Sequence, residues 1–138
     1  MRSYLLDTAL VAALLHARPA AVSLVQPWIV NHEAATSSLV YAEVIEYIKG
    51  RPDFERRRAE LRTLLREVYP YSLTYDILER YADLRRQLRP PYGPGLIGDV
   101  DTLIAATALE RDLTLVTTDS DYEKVPDLKL MLIPRKTL

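Results

Sequence analysis

A chain of 138 residues, 49% of them hydrophobic, has the length of one domain and enough apolar material to fill a single core. It contains no cysteine, which excludes disulfides and thiolate metal sites and leaves oxygen or histidine as metal ligands. The formal net charge of -1 hides a segregation, because Lys49 to Arg89 carries eleven basic and seven acidic residues; the middle is basic and the ends are acidic. Arg2 followed by LLDTALVAALLHA has the outline of a signal peptide, but Asp7 interrupts the apolar run and argues against export. No stretch reaches the roughly 18 uninterrupted apolar residues of a membrane helix. The expectation is a soluble, cytoplasmic protein with no membrane segment.

In chain order, SYLLD (Ser3 to Asp7) predicts a short strand ending at an acid, and Thr8 to Ala17 a helix that Thr8 would cap. A second helix starts at Pro19 and runs to about His32. ATSSL (Ala35 to Leu39) predicts a buried strand leading into a helix from Val40 to about Lys49, which Gly50 and Pro52 stop. From Asp53 to Val68 the pattern is helical, with Leu61, Leu64, Leu65 and Val68 as an apolar stripe and arginines over much of the rest. YPYSL is a strand or a link, and Thr74 to Leu88 is another amphipathic helix. RPPYGPG (Arg89 to Gly95) holds too many prolines and glycines for a regular element. GDVDTLIAATA then opens a buried helix to about Arg111, LTLVTT (Leu113 to Thr118) is the clearest strand, and LKLMLI (Leu128 to Ile133) is the last. Strands separated by helices, without repeats, predict one α/β domain over residues 1–138 with a mainly parallel sheet. In such sheets sites lie beyond the carboxyl ends of the strands.

GDVDTLIAATA also poses a chemical question, since Asp99 and Asp101 stand at the mouth of an apolar segment, where isolated carboxylates are costly. Asp7 and Asp119 each close a predicted strand, and a parallel sheet places both on one edge. Glu43 falls near the start of the helix after ATSSL, on the same edge. Asp101 sits at a helix N-terminus, where the macrodipole favours a carboxylate. Each acid has an ordinary reading taken singly: Asp99 or Asp101 as a helix cap, Glu43 as a solvated side chain, Asp119 and Asp121 as turn formers in TDSDY. Asp7 is the hardest to dismiss, because no cation lies near it in sequence. Four converging carboxylates would repel one another and stay partly protonated unless a cation neutralised them. Oxygen-only ligation suits Mg²⁺ or Mn²⁺, and such a cation lowers the pKa of a bound water and offsets charge building on a phosphate.

The same residues carry a family resemblance. YLLDTALVAALL, TSSLVYAEV and GDVDTLIAATALERDLTLVTTDSDY resemble the four motifs of the PIN-domain nucleases, and within them the VapC-type toxin ribonucleases, over Tyr4 to about Leu132. The resemblance implies a three-layer α/β/α domain around a five-stranded parallel sheet. It also implies cleavage of RNA with Mg²⁺ (Mn²⁺ as the alternative), an antitoxin partner that blocks the site, and a homodimer. Position by position, it makes Asp7, Glu43 and Asp101 metal-binding acids with Asp119 the fourth, and gives Thr8 and Thr117 the task of orienting carboxylates or water. Asp119 and Asp121 stand closer together than the family's commoner spacing, so both are candidates for the fourth position. Asp99 is a further supporting acid.

Two rivals follow from the same residues. DVDT fits the D-x-D-x-T nucleophile motif of haloacid-dehalogenase-type phosphatases, but that motif needs an apolar strand before it, and RPPYGPGLIG precedes it here. The other rival is a PIN-like module that binds RNA or a partner without cutting, against which the four retained acids argue. His16 and His32 fall within or at the end of helices, away from the acids, and predict surface or packing roles. Tyr47 and Tyr81 fall where helical periodicity asks for core residues. The arginine-rich helix from Asp53 reads as a solvated face. A partner helix is expected in an apolar groove between the N-terminal helices, with a cation presented to the acids.

Overall fold

The computed structural model describes the chain from Met1 to Leu138. Five short strands, β1 (Tyr4–Leu6), β2 (Ala34–Ser37), β3 (Tyr69–Tyr71), β4 (Thr114–Thr117) and β5 (Leu130–Leu132), alternate with six helices. These are α1 (Thr8–Leu15), α2 (Pro19–Val30), α3 (Ser38–Ile48), α4 (Phe54–Leu64), α5 (Tyr75–Leu88) and α6 (Asp99–Glu110). The strands form one sheet in the order β3-β2-β1-β4-β5, and every pairing is parallel. A parallel sheet is covered on both faces, so its central strands can be apolar throughout. Leu5, Leu6, Ala34, Ala35, Leu115 and Val116 are accordingly buried without exception.

The strand order decides where the helices go. From β1 to β2 to β3 the chain steps one way, carrying α1 to α4; from β3 it returns across β2 and β1 to β4, carrying α5 and α6. Such crossovers are right-handed, so the reversal puts the two groups of helices on opposite faces. Their packing follows: α1 meets α2, α3 and α4, while α5 packs along α6. The direction of travel reverses between β1 and β4, which is the switch point where open α/β sheets hold their ligands.

Boundaries differ from expectation mainly at strand-to-helix junctions. The strand expected at Ala35 to Leu39 ends at Ser37, its last paired residue, because the side chain of that serine caps α3 and accepts the Leu39 N–H at 3.1 Å. Asp7 rather than Thr8 holds the N-cap of α1, so Thr8 is the first helical residue and its hydroxyl is free for another partner. The helix expected to reach Val68 stops at Leu64, and a turn that bonds Val68 N–H to Leu64 O carries the chain into β3. Tyr47 is not a core residue: Val40, Val44 and Ile48 form the buried stripe of α3, which leaves Tyr47 59% exposed. No helix is long and apolar enough to cross a membrane.

Candidate active site

β1 and β4 pair with Leu6 opposite Val116, so Asp7 and the residues after Thr117 leave the sheet side by side at its carboxyl edge. Asp7 N–H donates to Val116 O at 3.0 Å, and its side chain is buried. Thr117, fully buried, donates its hydroxyl to Asp7 Oδ2 at 2.6 Å. The same hydroxyl oxygen accepts the Asp119 N–H at 3.1 Å, so one threonine fixes both strand-end acids. Glu43 enters from α3, half-buried, and accepts the Thr8 hydroxyl at 2.5 Å. Asp101, the third residue of α6, is half-buried and accepts the Tyr122 hydroxyl on Oδ1 at 3.0 Å.

These carboxylates sit close enough to feel one another. Burial pushes the Asp7 carboxyl up to about 6, and the Asp101 and Glu43 charges add to it, against the hydrogen bonds from Thr117 and the Thr8 backbone. Asp101 is raised as well, by burial first, with Asp119, Glu43 and Asp121 adding to the rise while the Tyr122 hydrogen bond works against it. The dipole of α6 favours an ionised Asp101 by only about 0.3–1 kcal/mol, and burial outweighs it. Burial, with the Asp7 and Asp101 charges, holds the Tyr122 phenol far above its ordinary range, so it stays a proton donor. The chain's ion pairs involve acids elsewhere, among them Asp53, Asp76, Asp99 and Glu110; Asp7, Glu43, Asp101 and Asp119 have no cationic partner.

Six of the eight residues singled out by sequence therefore meet: Asp7, Glu43, Asp101, Asp119, Thr8 and Thr117. Asp121 is exposed, in the 3₁₀ turn Ser120–Lys124, and donates its backbone N–H to Asp119 Oδ1 at 2.9 Å. Asp119 thus also acts as the turn former that its ordinary reading describes. Asp99 faces away: it pairs with Arg85 of α5 at 2.6 Å and lies 3.5 Å from the Tyr81 hydroxyl. Neither Asp99 nor Asp101 caps α6, whose N-cap is Gly98. The phosphatase reading loses its basis here, since no strand precedes Asp99 and its carboxylate is committed to Arg85.

Tyr122 is the functional candidate that sequence reasoning missed. Its only sequence signal is an aromatic residue directly after TDSD, and a 3₁₀ turn offers no helical or strand periodicity to reveal which way it points. His16 takes the packing role expected of it, with one polar atom left over. It is half-buried, edge-on to Tyr47 at 6.2 Å, with a buried Nε2 that finds no hydrogen-bond partner. It lines a groove of about 550 Å³ with Thr8 and Thr118, at the far end of α1 from Asp7. His32 is exposed at the end of α2.

No three His, Asp or Glu side chains close into a ready-made metal cage. The set at the switch point is open, with one oxygen of each of Asp7, Glu43 and Asp101 held by a hydroxyl. Open carboxylate sets suit an ion that keeps several of its own waters. Four oxygen-donor acids with no cation among them fit such a group by charge and by donor type.

A parallel sheet of this order, with uncompensated carboxylates at its switch point, defines an acid-centred α/β domain. The family model described as PIN domain matches residues 4–128, and the chain belongs to that family. It is 34% identical over 127 residues to Ribonuclease VapC19 of Mycobacterium tuberculosis, a match covering 91% of this chain and 96% of that protein. The crystal structure of VapBC2 from Rickettsia felis bound to a promoter DNA fragment superposes with a TM-score of 0.82, at 24% identity over 94% of this chain and 98% of that one. DNA-bound VapBC from Salmonella typhimurium gives 0.83, at 18% identity over 95% and 98%. At those identities the likeness is one of fold, and it bears out the layered architecture expected from the sequence.

Proposed function

We propose that this chain is a divalent-metal-dependent endoribonuclease, the toxin of a toxin–antitoxin pair, acting in the cytosol as one PIN domain over residues 1–138. The observation that carries the reading is the set of four carboxylates, from just past the ends of β1 and β4 and from α3 and α6, that meet without a balancing cation. The near full-length identity to a ribonuclease supports RNA as the substrate. Asp7, Glu43, Asp101 and Asp119 would hold Mg²⁺, with Mn²⁺ as the alternative. When bound, the cation offsets charge building on the phosphodiester and lowers the pKa of the attacking water. The chain's own residues set the geometry around it. Thr117 holds Asp7 and Asp119 to the sheet, Thr8 holds Glu43, and Tyr122 takes one Asp101 oxygen and leaves the other free.

The partner reading draws on solved relatives that are toxin–antitoxin assemblies, one of them from Klebsiella pneumoniae. The groove beside Thr8 has an apolar floor of Ala9, Ala12, Ala13 and Val44 with Arg18 and Arg135 also lining it, which suits one apolar face of a partner helix flanked by acidic residues. The same partner could then extend a cation to the acids. The homodimer implied by the resemblance is read directly by light scattering of the purified chain.

The test of the chemistry incubates structured and unstructured RNA with the protein and Mg²⁺ or Mn²⁺, then with EDTA. A metal clamp is worth several kcal/mol of transition-state stabilisation, so Asp7→Asn should lower turnover at least roughly a hundredfold. Cleavage that persists in EDTA and in Asp7→Asn overturns the reading, and binding without cleavage favours the silent module instead. For the toxin role, the chain expressed alone should arrest growth, Asp7→Asn should not, and co-expression with an antitoxin protein that binds the chain should restore growth. Equal growth in all three cultures rules that role out.

A further inference from the structure

A second cleft, of about 800 Å³, opens where the Arg89–Gly95 loop folds back over the end of α5. The loop is built rather than slack: Gly95 N–H donates to Leu88 O at 2.8 Å, and Tyr92 and Gly93 N–H both donate to Arg89 O. Its close approach requires glycine, since a Cβ at Gly93 would lie 2.0 Å from the Gln87 carbonyl oxygen. The opposite wall is the end of the Ser120–Lys124 turn and the two residues Pro126 and Asp127. Arg86, Arg89 and Lys124 line the cleft against a single acid, Asp127. All three cations are exposed and none is in an ion pair. On the arginine-rich helix α4, by contrast, Asp53, Glu55 and Glu60 engage Arg51, Arg56, Arg57 and Arg58, and Arg62 donates to the Tyr41 hydroxyl at 3.1 Å.

Tyr92 stands on this loop with 82% of its surface exposed. Free cations beside an exposed aromatic ring on a pinned loop suit single-stranded nucleic acid: the cations take phosphates and the ring takes a base. Both walls of the cleft lead into the acids. Lys124 ends the turn that Asp119 caps and in which Tyr122 reaches Asp101, and the loop runs on to Gly98 at the start of α6. The carboxylates repel a polyanion, and cations flanking them supply the phosphate contacts that non-specific affinity depends on.

We propose that this cleft is the subsite for single-stranded RNA flanking the scissile bond, with Arg86, Arg89 and Lys124 on backbone phosphates and Tyr92 stacked on a base. The inference rests on the ribonuclease reading and extends it to how the strand is held. Its test measures binding of a labelled single-stranded oligoribonucleotide in EDTA by fluorescence anisotropy, over a range of salt concentrations. The variants are the double substitution Arg89→Glu with Lys124→Glu, together with Tyr92→Ala and Tyr92→Phe, each checked by thermal melting; cleavage kinetics with metal follow. The charge-reversed protein should bind at least roughly tenfold more weakly, with a salt slope shallower by about 1.4, the loss of two phosphate contacts on a single strand. Tyr92→Ala should lose roughly tenfold and Tyr92→Phe little, and KM should rise while kcat holds. A folded charge-reversed variant with unchanged affinity and salt slope overturns the subsite even if the wild type cuts RNA. Cleft-dependent binding with no metal-dependent cleavage overturns the ribonuclease and leaves the subsite standing. Equal affinity for duplex DNA overturns the single-strand assignment.

Discussion

Asp119 and Asp121 compete for one role, and their supports differ. Asp119 stands two residues beyond β4 and its amide is tied to Thr117, the last residue of that strand and the one that also holds Asp7; Asp121 is exposed one step into the turn. Ligating and supporting acids must be held within about 0.5 Å of their working geometry, and only Asp119 has that support. Asp119→Asn should therefore cost roughly 10- to 100-fold in metal affinity or single-turnover rate. The amide oxygen can still accept the Asp121 N–H, so the turn survives the change. Asp121→Asn should cost clearly less. A folded Asp119→Asn protein that cleaves like wild type beside an inactive Asp121→Asn would reverse the assignment. Helix geometry explains why Asp99 misled at this scale. At about 100° per residue, two positions apart on α6 point nearly opposite ways, so Asp101 can face the site only if Asp99 faces α5.

Among the elements, the strands and helices were legible because apolar runs are bounded by strong punctuation: Pro19, the Gly50 to Pro52 break, and the Arg89 to Gly95 loop. The junctions were not, since a hydroxyl next to a strand end fits either element until its hydrogen bond is known. Ser37 is the case in point. It is fully buried, pairs in the sheet and caps the helix that carries Glu43. Ser37→Ala leaves the Leu39 N–H without its acceptor and should cost about 1 kcal/mol, or roughly 4 °C in Tm for a chain of this size. Thermal unfolding checks it, and a shift below about 1 °C would mean that the cap contributes nothing. Tyr47 escaped sequence reasoning for a related reason. Spacing identifies the stripe that packs, here Val40, Val44 and Ile48, but the width of that stripe depends on what lies across from it.

For the molecule as a whole, strand order is the feature that periodicity cannot supply, and it makes the site a junction between the two helical layers. Glu43 comes from α3 on one face, Asp101 from α6 on the other, and Asp7 and Asp119 from just past the ends of the strands between them. Gathering these charges has a cost that the pH dependence should expose. Asp7 titrates at an ordinary 3.8 when unfolded and at about 6 when folded, so the folded state binds its proton more tightly. Stability from this group is therefore greatest below 3.8, falls as pH rises through that interval, and above about 6 the ionised carboxylate costs about 3 kcal/mol. In EDTA at pH 7.5, Asp7→Asn should melt several degrees above wild type, and the gap should close toward pH 4. A bound divalent cation should remove the same cost in the wild type. At a metal concentration of about 100 times Kd the gain is about 2.7 kcal/mol, and because the ligands join both layers it should appear in global unfolding rather than in one loop. Mn²⁺ or Mg²⁺ should thus raise the wild-type Tm more at pH 7.5 than at pH 5, where protons compete for Asp7, and should do little for Asp7→Asn at either pH. Calorimetry of the two proteins with and without metal decides the matter: a wild type that melts above Asp7→Asn in EDTA at neutral pH, or a metal shift that Asp7→Asn keeps, would show that Asp7 is not the charge for which the site needs a cation.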